Sequence, residues 1–298
     1  MPDSPDSPDS PSLPESSSAK YASVMRVALC QIPASTQPAV NLSRVQSALT
    51  SAREQGSDLA VFPEGTQARF SADLRAVAEP LDGPFCTGLS AAAHASGVAL
   101  AAGVFEQALD GRVYNTTVAF DSAGNLVAAY RKIHLFDALG TRESETIAPG
   151  SEIVTAKLAG VTVGFLTCYD VRFPELAREL AVRGADLIII PSAWKAGLFK
   201  EEHWVTLVRA RAIENTIWVA AAGQVPDAHE PPTSAPTGIG RSLLVDPMGT
   251  VRVDLGSAQA IVAGEVDTEM TSRVRAFLPS LQHRRPDIFE RTQATVGA

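Results

Sequence analysis

The fold of this chain is decided by one stretch, VTVGFLTCYDVRFPELAREL, which runs from Val161 to Leu180. Its first seven residues are rich in β-branched and aromatic types and predict a buried strand. Pro174 predicts the first turn of a helix, because proline has no N–H to lose there. Cys168 therefore lies on a sharp turn from strand to helix, where a side chain and the following N–H groups point away from the sheet. This position is typical of a catalytic nucleophile, because the side chain is presented to a substrate beside backbone N–H donors.

The chain has three cysteines, and a free cysteine is most often a small buried apolar residue. Cys30 lies in an apolar run and fits that role, and Cys86 has no chemical partner near it in the sequence. Only Cys168 has neighbours that indicate chemistry. The odd number and the absence of a CxxC spacing argue against a disulfide framework.

Two further strand-like segments end near a charged residue. The run Asp58–Phe62 is followed by proline and Glu64, and Ala128–Phe136 carries Lys132 in an apolar setting. A single glutamate or lysine in such a place usually faces solvent. In open α/β sheets, however, ligands collect at the carboxyl ends of strands, so these two side chains and Cys168 can meet there.

The rest of the pattern alternates strands and helices, which favours a single α/β unit. The further predicted strands are Val24–Gln31, Val98–Glu106, Thr116–Asp121, Val127–Lys132, Thr216–Gly223, Arg241–Val245 and Thr250–Leu255. The further predicted helices are Val40–Gln55, Cys86–Gly97 and Glu202–Asn215.

Three blocks of the sequence resemble the signature blocks of the carbon-nitrogen hydrolase (nitrilase) superfamily. They are Phe62–Glu64, Tyr130–His134 and Cys168–Glu175, and they occur in the expected order. Further similar segments are Ala185–Trp194, His203–Trp204, Arg209–Asn215, Gly240–Ser242 and Asp246–Gly249. The resemblance extends from about Arg26 to Ile288.

The resemblance implies an α/β fold, a four-layer αββα sandwich of two mixed β-sheets flanked by helices. It also implies a cysteine hydrolase that uses no metal and no organic cofactor, with Glu64, Lys132 and Cys168 as its catalytic residues. The family's second glutamate corresponds to Glu143, and Glu145 remains a rival for that role.

These residue types suit the hydrolysis of an amide. Because a thiol is only a few per cent ionised at neutral pH, Cys168 needs a base, and Glu64 would take its proton and later deliver it to the leaving amine. Lys132 and the backbone N–H of Tyr169 would stabilise the oxyanion. Water activated by Glu64, and positioned in part by Glu143, would then release the acid from the thioester.

The residues next to the nucleophile indicate the substrate class. Cys168-Tyr169-Asp170 resembles the amidase branch that contains ω-amidases and deaminated-glutathione amidases, whereas typical nitrilases carry Cys-Trp-Glu there. We therefore expect a small amide substrate, with a carboxylate-bearing amide among the expectations. The loops Gly65–Phe70 and Lys195–Glu202 depart from both named amidases, so no specific substrate is carried over.

Four residues are candidates for substrate binding. Tyr169 follows the nucleophile directly, and Trp194 is predicted to form a pocket wall, with a plain core aromatic as an equal alternative. Arg172 and Lys195 are candidate binders of a carboxylate. For Arg172 the favoured alternative is structural, with the guanidinium bracing the turn beside Asp170 and Glu175.

Composition agrees with an enzyme that acts on small molecules. A net charge of −8 and a pI near 5.2 give no electrostatic footprint for nucleic acid, and no run approaches the roughly 18 apolar residues of a membrane span. We expect a cytoplasmic protein with one carbon-nitrogen hydrolase catalytic domain at 23–290. Residues 1–22 are expected to form a disordered Pro/Asp/Ser-rich tail, and 291–298 a C-terminal tail. The resemblance adds an expected homodimer or higher homo-oligomer that associates through 173–183.

Two alternative functions stay open. The first is hydrolysis of an N-carbamoyl amino acid or another linear amide. The second, from a different class, is a thiol redox protein that uses Cys168 with Lys132 lowering its pKa. The PxxxTxxC spacing of peroxide-reducing proteins and an evident resolving cysteine are both missing from the sequence.

Overall fold

The computed structural model describes residues 24–290, so the two predicted tails, 1–22 and 291–298, lie outside the described residues. The strands are β1 Val24–Gln31, β2 Leu59–Val61, β3 Ala99–Gln107, β4 Val113–Phe120, β5 Leu126–Arg131, β6 Ile147–Ala148, β7 Thr155–Leu158, β8 Val161–Phe165, β9 Leu187–Ser192, β10 Trp218–Gly223, β11 Leu243–Val245, β12 Val251–Asp254 and β13 Ala260–Asp267. The helices are α1 Pro38–Glu54, α2 Leu74–Val77, α3 Pro84–Ser96, α4 Pro174–Val182, α5 Lys200–Asn215, α6 Thr268–Phe277 and α7 Pro286–Glu290. Short 3₁₀ turns lie at Glu143–Glu145 and Cys168–Arg172.

The strands form two mixed β-sheets. The first has the order β13-β1-β2-β3-β4-β5, with β6 paired to β4, and the second has the order β12-β11-β10-β9-β8-β7. Parallel pairing joins β1, β2 and β3 in one sheet and β8, β9 and β10 in the other. Helices α1 and α3 pack together beside the first sheet, and α4 and α5 pack together beside the second. This arrangement confirms the predicted four-layer αββα sandwich.

The central strands are apolar on both faces because each sheet is covered on both sides. In β1, Val27 and Leu29 belong to the core that lies between the sheets. Ala28 and Cys30 alternate with them and belong to the core under α1 and α3, which also contains Cys86. The alternation is the period of two of a strand, and it places Cys30 in the same apolar packing as Cys86 of α3.

Several element boundaries differ from the predicted ones. Helices α1 and α3 each begin two residues earlier than predicted, at a proline that suits the first turn. The strand predicted from Thr216 begins at Trp218, because Thr216 has a φ of 46° and closes α5. Similarly, Arg241 has a φ of 54° and the next strand begins only at Leu243, since a left-handed residue does not fit the ladder.

The topology brings several strand ends to one side of the sandwich. Glu64 follows β2, Lys132 follows β5 and Cys168 lies three residues beyond β8, at carboxyl ends where open α/β sheets collect their ligands. Among residues 24–290 there is no helix that combines the length and the apolar character needed to cross a lipid bilayer.

Candidate active site

Cys168 occupies the turn between β8 and α4. The predicted strand over Val161–Thr167 ends at Phe165, and Cys168 begins a 3₁₀ turn with a left-handed φ of 47°. Such a backbone costs a non-glycine residue about 1–2 kcal/mol, so surrounding contacts must hold the turn in place. Cys168 is 9% exposed and lines a cavity.

The buried carboxylate of Asp170 holds this turn. It accepts hydrogen bonds from the backbone N–H of Thr167 at 2.9 Å, the Tyr130 hydroxyl at 2.7 Å and the His134 backbone N–H at 2.9 Å, and it contacts His134 Nδ1 at 2.8 Å. The His134 ring also stacks on Phe173, with centroids 3.6 Å apart. These contacts fix the segment 130–134, which contains Lys132, to the segment 168–175, which contains Cys168.

Glu64 is 1% exposed, and both of its carboxylate oxygens are occupied. Oε1 accepts from Lys132 Nζ at 3.0 Å and from Asn115 Nδ2 at 2.7 Å, and Oε2 accepts from the backbone N–H of Ala193 at 2.8 Å. The amide of Gln224 also donates to the Glu64 carbonyl at 3.1 Å. These contacts come from both sheets, so the carboxylate is held between them.

Lys132 is 2% exposed and lies between two carboxylates. Its ammonium donates to Glu64 Oε1 at 3.0 Å and to the two oxygens of Glu143 at 3.0 and 2.9 Å. Burial alone would lower the pKa of Lys132, but the Glu143 and Glu64 charges outweigh burial and raise it well above the ordinary value. The raised pKa favours the protonated, positively charged form of Lys132.

The structure distinguishes the two candidate second glutamates by position. Glu143 contacts Lys132, and its Oε2 also accepts from the backbone N–H of Phe136 at 2.6 Å. The side chain of Glu145 is 68% exposed and lies 3.9 Å from Arg142. Only Glu143 of this pair lines the cavity.

The surroundings of Cys168 favour the neutral thiol over the thiolate. Burial raises its pKa above the ordinary value, and the Glu64 carboxylate raises it further, while Lys132 and the Ser192 hydroxyl act in the opposite direction. A thiol with a raised pKa does not ionise on its own at neutral pH, so a nearby base must remove its proton. Glu64 is the carboxylate in position to do so.

The cavity has a volume of about 380 Å³ and combines charged and aromatic groups. The Glu64–Lys132–Glu143 cluster and Cys168 line it, together with the aromatic side chains of Phe136, Tyr169 and Trp194. Within the described range there is no group of three or more histidine, cysteine or acidic side chains arranged to hold a metal ion.

Three of the four predicted binding residues, Tyr169, Trp194 and Lys195, line the cavity, and Arg172 lies over two of their aromatic rings. Trp194 is buried in the core and lines the cavity as well, so it has both of the roles considered for it. The Arg172 guanidinium lies 5.0 Å from the Trp194 ring and 5.9 Å from the Tyr169 ring, and it forms no ion pair with Asp170 or Glu175. Lys195 lines the cavity and donates to Thr141 Oγ1 at 3.2 Å.

Sequence reasoning missed three residues of this site. Asn115 connects Glu64 with Glu143, donating to them at 2.7 and 3.3 Å, and Lys200 is a buried cavity-lining cation. Asp170 belongs to the segment Cys168–Glu175, but the sequence does not identify its carboxylate as the hydrogen-bond acceptor that holds the turn. Nothing in the sequence around Asn115 distinguishes it from an ordinary strand residue.

Comparison with known proteins gives consistent similarities. The profile of the carbon-nitrogen hydrolase family matches residues 26–276. A Mycobacterium tuberculosis protein named only as a hydrolase is 42% identical over 87% of this chain and 95% of its own length. The deaminated glutathione amidase of Escherichia coli O157:H7 is 37% identical over 80% and 89%, and the omega-amidase of Danio rerio 32% identical over 90% and 97%. Among solved structures, an amidase from Nesterenkonia sp. AN1 superposes with a TM-score of 0.76 at 26% identity, covering 90% of this chain and 96% of that one.

Proposed function

Because the chain belongs to the carbon-nitrogen hydrolase family, we propose that it is a cysteine-dependent amidase, which converts a small amide to a carboxylic acid and ammonia through a thioester on Cys168. The observation that carries the proposal is the buried contact of Lys132 with both Glu64 and Glu143, in the cavity that Cys168 also lines. The coarser assignment, a hydrolase of carbon-nitrogen bonds other than peptide bonds, follows from the family and the amidase relatives.

In the acylation half, Glu64 removes the thiol proton as Cys168 Sγ attacks the carbonyl carbon of the amide. The carbonyl π electrons move to oxygen, and the Lys132 ammonium and the Tyr169 backbone N–H stabilise the resulting oxyanion. When the intermediate collapses, Glu64 delivers its proton to the nitrogen, the C–N bond breaks and ammonia leaves. A thioester remains on the sulfur.

In the deacylation half, Glu64 takes a proton from water, whose oxygen attacks the thioester carbonyl. Glu143 helps to position this water and holds the ammonium of Lys132, which again stabilises the oxyanion. The C–S bond breaks, the sulfur takes back the proton held by Glu64 and the acid is released. Lys132 keeps its proton throughout, in agreement with its raised pKa.

One comparison supports the role of the sulfur. In a mutant of the Nesterenkonia amidase, the acetamide moiety of fluoroacetamide is covalently attached to the active-site cysteine. The fold similarity between that enzyme and this chain extends over 90% of the chain. We extend the nucleophile role to Cys168 on this basis and on the position of Cys168 beside Glu64.

The two alternatives differ in how well the site supports them. Hydrolysis of an N-carbamoyl amino acid or another linear amide would use the same groups, so it remains a question of substrate. A redox function needs a thiol with a lowered pKa, whereas burial raises the pKa of Cys168. Homo-oligomerisation through 173–183 stays a prediction, which light scattering would test.

Ammonia release from a panel of small amides tests the proposal. We expect release by the wild type, none above background by Cys168→Ala, and wild-type rates for Cys86→Ala, which removes a buried thiol from the helix-facing core. Consumption of hydrogen peroxide without hydrolysis of any amide would favour the redox alternative instead. Retention of amidase activity by Cys168→Ala would exclude the proposed nucleophile.

A further inference from the structure

Lys200, the first residue of α5, is a buried cation at the wall of the cavity. It is 4% exposed, and its ammonium lies 4.0 Å from the centre of the Trp194 ring and 5.1 Å from that of Phe136. The Trp194 indole N–H donates to the Lys200 carbonyl at 2.7 Å, which fixes the start of the helix against the tryptophan. Lys200 thereby lies among the residues that line the cavity.

No acidic side chain between residues 24 and 288 pairs with this ammonium, and no hydrogen-bond acceptor in that range contacts it. A buried charge without a partner is unfavourable, and proteins usually pair such a charge or bind a ligand with it. Two neighbouring cations add to the excess of positive charge around Lys200. Arg172 lies over the same tryptophan, Lys195 lines the same cavity, and neither has an acidic partner among the described residues.

The two glutamates of the cavity do not correct the imbalance. Both contact Lys132, and Glu64 is also held by the backbone N–H of Ala193, so their oxygens are occupied. Burial lowers the pKa of Lys200, and the charges of Arg172 and Lys195 add to this shift, which only an ionised Cys168 would oppose. An anion bound beside Trp194 would neutralise the cluster and raise the pKa of Lys200 again.

We propose that Lys200 is a specificity-determining residue that binds a carboxylate of the amide substrate, with Arg172 and Lys195 adding positive potential around it. The inference rests on the proposed amidase function and identifies its substrate class. A carboxylate fits because it presents two acceptor oxygens to a cluster that offers only donors. Lys200 and Cys168 line the same cavity, which places this carboxylate close to the scissile bond and favours short substrates.

Either the acyl part carries the carboxylate and ammonia leaves, or the leaving amine carries it and an amino acid is released in place of ammonia. Matched substrates distinguish these sources. Succinamate carries it on the acyl part, N-acetylglycine carries it on the amine, and butanamide is the neutral counterpart of succinamate. We expect the wild type to prefer one of the two anionic amides over butanamide in kcat/KM by about tenfold or more, as one charge-assisted hydrogen bond would give.

The variants are Lys200→Met, which keeps the apolar stem, Lys200→Arg, which keeps the charge, and Lys157→Met, which removes an exposed lysine of β7 as a control. Lys200→Met should lower kcat/KM for the preferred anionic amide by about tenfold to hundredfold and leave butanamide nearly unchanged. Lys200→Arg should restore part of the preference. Equal losses on anionic and neutral amides, or no loss on either, would overturn the inference and leave the amidase function standing.

Equilibrium binding separates this inference from the amidase function. In the Cys168→Ala background, calorimetry with succinate should show binding that Lys200→Met weakens by about tenfold or more and Lys157→Met does not change. If Lys200→Met does not fold, Lys200→Gln replaces it. If no amide is hydrolysed, the amidase proposal fails. Succinate binding still tests whether the Lys200 ammonium binds a carboxylate. Succinate affinity that is equal with and without the Lys200 ammonium would overturn its role.

Discussion

Lys132 and Lys200 line the same cavity and are both almost completely buried, but their partners differ. Lys132 lies between the carboxylates of Glu64 and Glu143, whereas Lys200 lies against two aromatic rings and near two further cations. Burial lowers the pKa of both; the carboxylates reverse the shift only at Lys132. The comparison agrees with the catalytic role proposed for Lys132 and with the ligand-binding role proposed for Lys200.

Removing Lys132 should have the largest effect. Lys132→Met leaves Glu64 and Glu143 buried without their counter-ion, so we expect the free energy of unfolding to fall by about 3–5 kcal/mol. Loss of one oxyanion donor should also lower kcat by about a hundredfold to a thousandfold. Urea denaturation and steady-state kinetics measure the two effects. If the Lys132→Met variant were as stable as the wild type, Glu64 and Glu143 would not depend on Lys132 as their counter-ion.

The second prediction separates Glu143 from Glu145. Glu143→Gln removes a charge that holds Lys132, so kcat should fall by about tenfold to hundredfold. Glu145→Gln changes an exposed side chain two residues away and should leave kcat unchanged. Kinetics of the two variants on the same amide provide the measurement. Equal effects of the two substitutions would show that contact with Lys132 is not what matters.

The smallest predicted effect is a gain in stability. Because the pKa of Lys200 is lower in the folded chain than in the unfolded one, its positive charge destabilises the fold at neutral pH. The penalty disappears as pH rises through the folded pKa and then past the ordinary lysine value. Lys200→Met should therefore stabilise the ligand-free protein by on the order of 1 kcal/mol at neutral pH.

Unfolding by urea at neutral pH and near pH 10.4, the ordinary pKa of lysine, tests this sign. The gain from Lys200→Met should shrink at the higher pH, while Lys157→Met should show no gain at either pH. A loss of stability at neutral pH would mean that contacts of the ammonium with Trp194 and Phe136 outweigh its burial.

Much of the site could be predicted because its parts lie at strand ends. Glu64 and Cys168 follow β2 and β8, and the packing of two sheets brings such ends together. The fold class was predictable for a similar reason, since apolar runs buried on both faces alternate with helices. The sequence narrowed the second glutamate of the site to Glu143 or Glu145. Both residues lie in one 3₁₀ turn, and the geometry of that turn decides which side chain points toward Lys132.

The residues that sequence reasoning missed depend on distant contacts. Lys200 begins the segment Lys-Glu-Glu, which is typical of a solvated helix start, and only packing against Trp194 and Phe136 buries it. Asn115 acquires its role because Glu64 and Glu143 approach it from other parts of the chain. The sequence also does not indicate the left-handed backbone conformations of Thr216 and Arg241. The strands that follow these residues therefore begin later than predicted.

The account depends most on a covalent bond between the substrate's acyl group and one particular sulfur. Intact mass spectrometry of an acid-quenched reaction, followed by peptide mapping, measures this directly. We predict a mass increase equal to the acyl group, located on the peptide that contains Cys168 and absent from Cys168→Ala. Hydrolysis of the amide with the acyl mass found on Cys30 or Cys86, or with an adduct that persists in Cys168→Ala, would contradict the account.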